Sequence, residues 1–219
     1  MKSNRILIAP LLFGLGLASA QESPVPPAAP VAKPVSTVQP GMLWGTVITR
    51  DEFQPLTGKE RWGLYWRQSY WRPGAFFGNA GPALGAHLNN EPPQWGQGME
   101  GYSKRFANRF ARSAIRDSVQ AAGSAALGYD VRYVKCDCKG FLPRFGHAIA
   151  WNFVTLNRNG KTVLNVPRIG GSFASEFIGN TWMPAGYNSA GDAFRSGAVQ
   201  LGFSSIFNAF REFAPRKKK

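Results

Sequence analysis

The chain has 219 residues and a formal net charge of +14; 44% of it is apolar, 13% aromatic and only 17% charged, with 25 Gly and 16 Pro. That apolar and aromatic content excludes a disordered chain, and glycines without a period of three exclude collagen. The length suits one domain with appendages.

At the start, Lys2 and Arg5 form a positive n-region and Ile6 to Leu17 an apolar h-region broken only by Pro10. Ala18-Ser19-Ala20 obeys the small-residue rule for signal peptidase, with cleavage before Gln21. Residues 1–20 therefore read as a signal peptide and the protein as exported. The h-region is short for a membrane span, and no Cys follows it to carry a lipid anchor. Residues 21–41 are Pro- and Ala-rich, with Pro24, Pro26, Pro27, Pro30, Pro34 and Pro40. Such a stretch favours extended polyproline conformations and buries no core, so it reads as a disordered linker. A helical domain is expected over 42–213. A basic tail, 214–219, carries Arg216, Lys217, Lys218 and Lys219.

Within the domain, Thr57-Gly58-Lys59-Glu60 is a capping box. Trp62, Tyr65, Trp66, Ser69 and Tyr70 follow at helical spacing until Pro73. The aromatic stripe serves either a core or a membrane–water boundary, where Trp62, Trp66 and Tyr70 would be the interfacial contacts. Gly74, Gly78, Gly81 and Gly85 then recur on one helical face, around Pro82; small residues so spaced permit close backbone approach.

The clearest helix is predicted over 103–127. Ala107, Ala111, Ala114, Ser118, Ala121 and Ala125 make a small-residue seam, and Arg105, Arg109, Arg112 and Arg116 fall on the opposite side. Four arginines argue against a lipid-exposed span. They and Lys217, Lys218 and Lys219 form the candidate anion- or lipid-binding set. Pro143 suits the first turn of a short helix through Trp151. Asn159-Gly160, between the runs 153–158 and 161–166, signals a β-hairpin. Gly171, Ser175 and Gly179 repeat the small-residue spacing on a helix that ends near Pro184. A last helix starts at Ser189, capped by Asp192, and has no charge from Ser196 to Phe210. That uncharged stretch covers about 22 Å, less than a bilayer core. It reads as a buried core helix, with an interfacial helix as the alternative.

Cys136 and Cys138 are the only cysteines. In an oxidising compartment they pair, locally or between molecules, or they ligate a metal. Only His87 and His147 are at hand as imidazole ligands and no spacing links them, so no metal site is assigned. Glu100, in a Gly- and aromatic-rich loop, and His147 are the two weak catalytic candidates; a raised-pKa carboxylate would suit glycan hydrolysis. No Gly-x-Ser-x-Gly elbow, His-Glu-x-x-His helix, Walker loop or Rossmann fingerprint occurs.

The segments Trp95-Gly96-Gln97-Gly98-Met99-Glu100-Gly101-Tyr102, Pro143-Arg144-Phe145-Gly146-His147-Ala148 and Arg168-Ile169-Gly170-Gly171 resemble a pattern recurring in secreted bacterial proteins. The resemblance spans roughly 53–213. It implies a single body and a bacterial periplasm or outer-envelope setting, and it brings no catalytic residues or cofactor.

The sequence thus predicts a mainly α protein: a compact bundle of about five or six Gly/Ala-rich helices with one small β-hairpin. The function expected first is a non-enzymatic, membrane-associated or assembly protein of the envelope, with an anionic membrane surface, an envelope protein or a second copy as partner. A glycan hydrolase and a polyanion-binding module are the alternatives; export places nucleic acid last among partners.

Overall fold

The computed structural model describes residues 45–214. The signal segment 1–20, the linker 21–41 and the lysines 217–219 lie outside the described residues.

Strand β1 (Val47–Ile48) opens the body, followed by helix α1 (Gly58–Trp66). The capping box closes as the sequence requires: Glu60 N–H donates to Thr57 Oγ1 at 3.3 Å, and Thr57 N–H donates to Glu60 Oε2 at 2.8 Å. A π-helical turn, Arg67–Trp71, continues it until Arg72 turns extended, the conformation favoured before proline. Pro73 then takes the first position of α2 (Pro73–Leu88), where its missing N–H costs no hydrogen bond.

The 30-residue α3 (Gly98–Leu127) spans about 45 Å. It ends on Gly128 in the left-handed conformation, φ 69°. Strand β2 (Tyr133–Val134) pairs in parallel with β1, a contact across some eighty residues that no local signal announces. Helix α4 (Phe141–Ala150) begins two residues before Pro143.

The hairpin is present as β3 (Val154–Leu156) and β4 (Thr162–Leu164), with Thr155 opposite Val163. Its turn is longer than Asn159-Gly160 alone. Asn157 Oδ1 accepts from the N–H groups of Asn159 and Lys161, both at 3.0 Å, and Gly160 supplies φ 70°. Helices α5 (Val166–Gly179) and α6 (Ala190–Phe213) complete the body. Ser189 and Asp192 form the second capping box, the Ser189 hydroxyl donating to Asp192 Oδ2 at 2.6 Å.

The described body is a mainly α bundle of six helices with one antiparallel hairpin. Helix α3 is its axis, packed by α2 and α5, and α6 packs on α5 and α4. The apolar core is small and sits around the strands: Ile48, Tyr133, Val134, Trp151 and Leu156, with Val47, Phe53 and Val154 against them.

The small-residue seams divide into two kinds. On α5 the seam is a packing surface: a Cβ on Gly171 would lie 2.9 Å from the Arg116 carbonyl oxygen, and one on Gly179 would strike the Arg112 guanidinium. With Pro167 against Gly123, these contacts run α5 antiparallel to α3. On α2 no atom lies within 4 Å of a Cβ placed on Gly78, Gly81 or Gly85. There the glycines face outward, and the buried residues Asn79 and Ala83 face inward.

Candidate functional site

The arginine stripe of α3 is not the solvated face its spacing suggests. At 100° per residue, Arg105, Arg109, Arg112 and Arg116 share the sector that carries Gln120 and Gly123, and this sector meets α5. Arg105 is 1% exposed. Its Nε donates to Glu91 O (2.8 Å), Nη1 to Gly96 O (2.7 Å) and Nη2 to Pro92 O (2.9 Å), so one guanidinium ties down the connection between α2 and α3. Arg112 is buried too. It forms an ion pair with the buried Glu176 of α5 and donates to Asn180 Oδ1 at 3.2 Å and Asn108 Oδ1 at 3.0 Å.

The small residues opposite on α5 leave room for these long side chains, which is why the charged face turns inward. Arg116 pairs with Asp117 at 2.8 Å and is half-buried. Arg109 alone of the four is exposed at its side chain; desolvation lowers its pKa, partly offset by Glu176. Arg105 and Arg112 therefore have their donors committed inside the fold, and they are corrected from anion contacts to structural ones. The alanine seam expected to pack is partly outside: Ala107 and Ala125 are exposed. Ala107 and Ala111 line an open depression of about 510 Å³ with Trp95, Lys104, Asn108 and Trp182.

Helix α6 repeats the inversion. Its inward stripe is Ala193, Gly197, Leu201, Asn208 and Glu212, while Phe194, Val199, Phe203, Ile206, Phe207 and Phe210 are exposed. The buried core helix expected here is instead a helix with its narrow, small and polar edge inside. Asn208 Nδ2 donates to Ala148 O at 3.2 Å, and Asn152 Nδ2 donates to Leu201 O at 2.7 Å, which fastens α6 to α4 and its C-cap.

The two catalytic candidates have different surroundings. Glu100 is fully exposed and pairs with Lys104 at 2.7 Å. The hydrogen bond from Lys104 and its charge lower the Glu100 pKa, the reverse of what a general acid needs. His147 stacks on Trp151, ring centroids 4.7 Å apart, and its Nδ1 lies 3.3 Å from the Tyr133 hydroxyl and 3.5 Å from Glu212 Oε2. Burial lowers its pKa, against the raising influence of Glu212.

Glu212, which sequence reasoning did not single out, is the hub of this cluster. It is fully buried, and accepts from Tyr133 Oη (2.8 Å), the Cys136 N–H (3.1 Å) and Arg144 Nε (3.2 Å). Burial, then the bond to Glu212, raises the Tyr133 pKa. Cys136 and Cys138 are joined to each other in a disulfide. A carboxylate that follows the uncharged stretch Ser196 to Phe210 is the signal that marks Glu212 in the sequence.

The aromatic residues make a continuous outer ladder. Trp62 meets Trp66 at 5.7 Å, Trp66 meets Tyr70 at 4.9 Å, Tyr70 meets Phe110 at 6.1 Å and Phe110 meets Phe106 at 6.1 Å. Trp62 and Trp66 are 61% and 42% exposed, while Tyr70 is half-buried beside Tyr65. Across the described residues, nine buried side chains are apolar and seventeen are polar or charged. Large apolar side chains stand outside on α2, α4, α5 and α6, Phe77, Leu142, Ile178 and Phe203 among them. Comparison of the chain with protein-family models, with curated proteins and with solved structures finds no match.

Proposed function

We propose that this chain is an exported bacterial envelope protein without catalytic activity that works against a lipid surface, its outer apolar side chains in the membrane's interfacial layer. The observation that carries the reading is the inversion of polarity. Water-facing proteins bury mainly apolar side chains, whereas proteins in lipid turn ionisable groups toward the bundle interior. Arg105, Arg112, Asp130, Arg132, Glu176 and Glu212 are inside here, and the aromatic and aliphatic side chains of α2, α4 and α6 are outside. Exposed apolar area on this scale marks an interaction surface.

No described helix is long and apolar enough to cross a membrane, so the proposal is one of helices lying in the interface plane. Trp62 and Trp66 suit the headgroup level, where amphipathic rings accumulate. Lys217, Lys218 and Lys219 add attraction to anionic lipid, about 1 kcal/mol for each basic residue near the surface.

The test is fractionation of cells that express the chain, with flotation of the purified protein on vesicles containing phosphatidylglycerol. The expected outcome is retention on membranes through a high-salt wash and flotation with the vesicles. Protein recovered wholly in the soluble fraction, and left behind by the vesicles, overturns the reading.

A further inference from the structure

Two depressions flank one short 3-10 turn, Asn180–Trp182. The first, of about 510 Å³, has Trp95 and Trp182 at its wall with Ala107, Ala111, Asn108 and Lys104. The second, of about 300 Å³, is lined by Phe177, Asn180, Thr181 and Asn188 among others. Small-molecule sites occupy about 300–1,000 Å³ and combine aromatic walls with a few placed polar groups. In a chain of net charge +14, this lining carries one ionisable group, Lys104, and Glu100 pairs with it at 2.7 Å. Rings, methyl groups, amides and a hydroxyl make up the rest. Such a surface offers little to an anion and suits a neutral, hydroxylated ligand.

The polar groups are set in advance. Asn108 Oδ1 accepts from Arg112 Nε at 3.0 Å and from Trp182 Nε1 at 2.9 Å. Guanidinium and indole N–H groups only donate, so they fix which way the Asn108 amide faces. Its Nδ2 then has no acceptor among the described residues, and Asn108 lines the first depression. Trp182 is held by the same bond while 41% exposed. Arg112 Nη2 also donates to Asn180 Oδ1 at 3.2 Å. One buried guanidinium therefore holds a polar group of each depression in place, which lowers the ordering cost of binding. The turn that carries Trp95 is tied to the loop after Trp182, where Gln94 Nε2 donates to Ala185 O at 3.4 Å.

We propose that this surface is a binding site for a neutral glycan built from N-acetylated hexopyranose units. The C–H face of a pyranose ring packs on an indole as apolar surface on apolar surface, and its hydroxyls are left for amides and water. An acetamido group adds a carbonyl, which accepts from Asn108 Nδ2, and a methyl, which meets Ala107 and Ala111. Two depressions on one turn suit consecutive units of a chain. The lining holds no pair of carboxylates, which hydrolysis would require, so the glycan is bound and not cut. The lipid reading uses none of these residues, and the two are tested separately.

The test titrates the purified full chain, without vesicles, with tri-N-acetylchitotriose and in parallel with maltotriose, read by calorimetry. Saturable binding of the acetylated trimer, about tenfold or more tighter than maltotriose, is expected. Trp182→Ala is expected to weaken it by a similar factor. Trp71→Ala, at a tryptophan 79% exposed on the π turn, leaves it unchanged.

Asn108→Asp keeps an acceptor for Arg112 and Trp182 but removes the free donor, and is expected to weaken binding of the acetylated trimer about tenfold. Should the variants fail to fold, saturation-transfer NMR on the wild-type chain replaces them, with the strongest transfer expected at the acetyl methyls. The proposal is overturned if the acetylated trimer does not bind saturably, if maltotriose binds as tightly, if Asn108→Asp or Trp182→Ala binds like wild type, or if the acetyl methyls receive no saturation.

Discussion

Glu212 shows how much rests on single polar residues in this interior. Its carboxylate joins β2, the Cys136–Cys138 loop and α4 to the end of α6 through Tyr133, the Cys136 N–H and Arg144. Glu212→Ala removes the carboxylate that pairs with Arg144 and accepts from the Tyr133 hydroxyl and the Cys136 N–H. Breaking a buried pair in this way costs about 3–5 kcal/mol, to be read from the urea midpoint of the oxidised protein.

His147, in the same cluster, gives a pH dependence whose sign is fixed. Its folded pKa lies below its ordinary value because burial disfavours the imidazolium more than Glu212 favours it. The unfolded chain therefore binds more protons in the window below about pH 6.5, and stability falls as pH falls through it. The urea midpoint is expected to drop between pH 7.5 and pH 5.5, and His147→Gln to flatten that drop. A midpoint that rises on acidification refutes the assignment.

At the scale of elements, the backbone signals of the sequence were legible. Thr57/Glu60 and Ser189/Asp192 place two helix starts, and Asn159-Gly160 places the hairpin, because caps and turns are local and independent of what surrounds the helix. The facing of α3 and α6 was not legible. Hydrophobic periodicity locates an apolar stripe but assigns it to the inside only if the outside is water. The contacts that decide otherwise, Arg112 with Glu176 and Arg105 with Pro92 O, depend on loops and partners far along the chain. The parallel β1–β2 pair was invisible for the same reason.

Spacing alone likewise does not distinguish the seam of α5 from that of α2, but a substitution does. Gly171→Ala brings a methyl to 2.9 Å from the Arg116 carbonyl, and the helices must part. A cost of about 1–3 kcal/mol is expected, the usual range for overpacking. Gly78→Ala meets open space, so the helix gains about 0.5–1 kcal/mol from the loss of glycine's backbone freedom. Chemical denaturation of the two variants in parallel reads opposite shifts. Equal destabilisation by both would place α2 against a surface that Gly78 needs to approach closely.

For the whole molecule, the inverted polarity has a measurable consequence in partitioning. Val199, Phe203 and Ile206 lie on one face of α6 and are 52%, 58% and 50% exposed. Full burial of such a side chain is worth about 1.5–3 kcal/mol. With about half of each still exposed, transfer of the three into an apolar layer offers roughly 3 kcal/mol in all. Replacing all three with Ser removes most of that and is expected to lower partitioning onto phosphatidylglycerol vesicles about a hundredfold. The substitutions also remove the half of each side chain that the body buries, so the urea midpoint is expected to fall as well, by a comparable amount on the order of 3 kcal/mol. Vesicle binding is therefore read on variant protein that circular dichroism shows to be folded. If partitioning of the folded variant is unchanged, this face of α6 does not meet lipid.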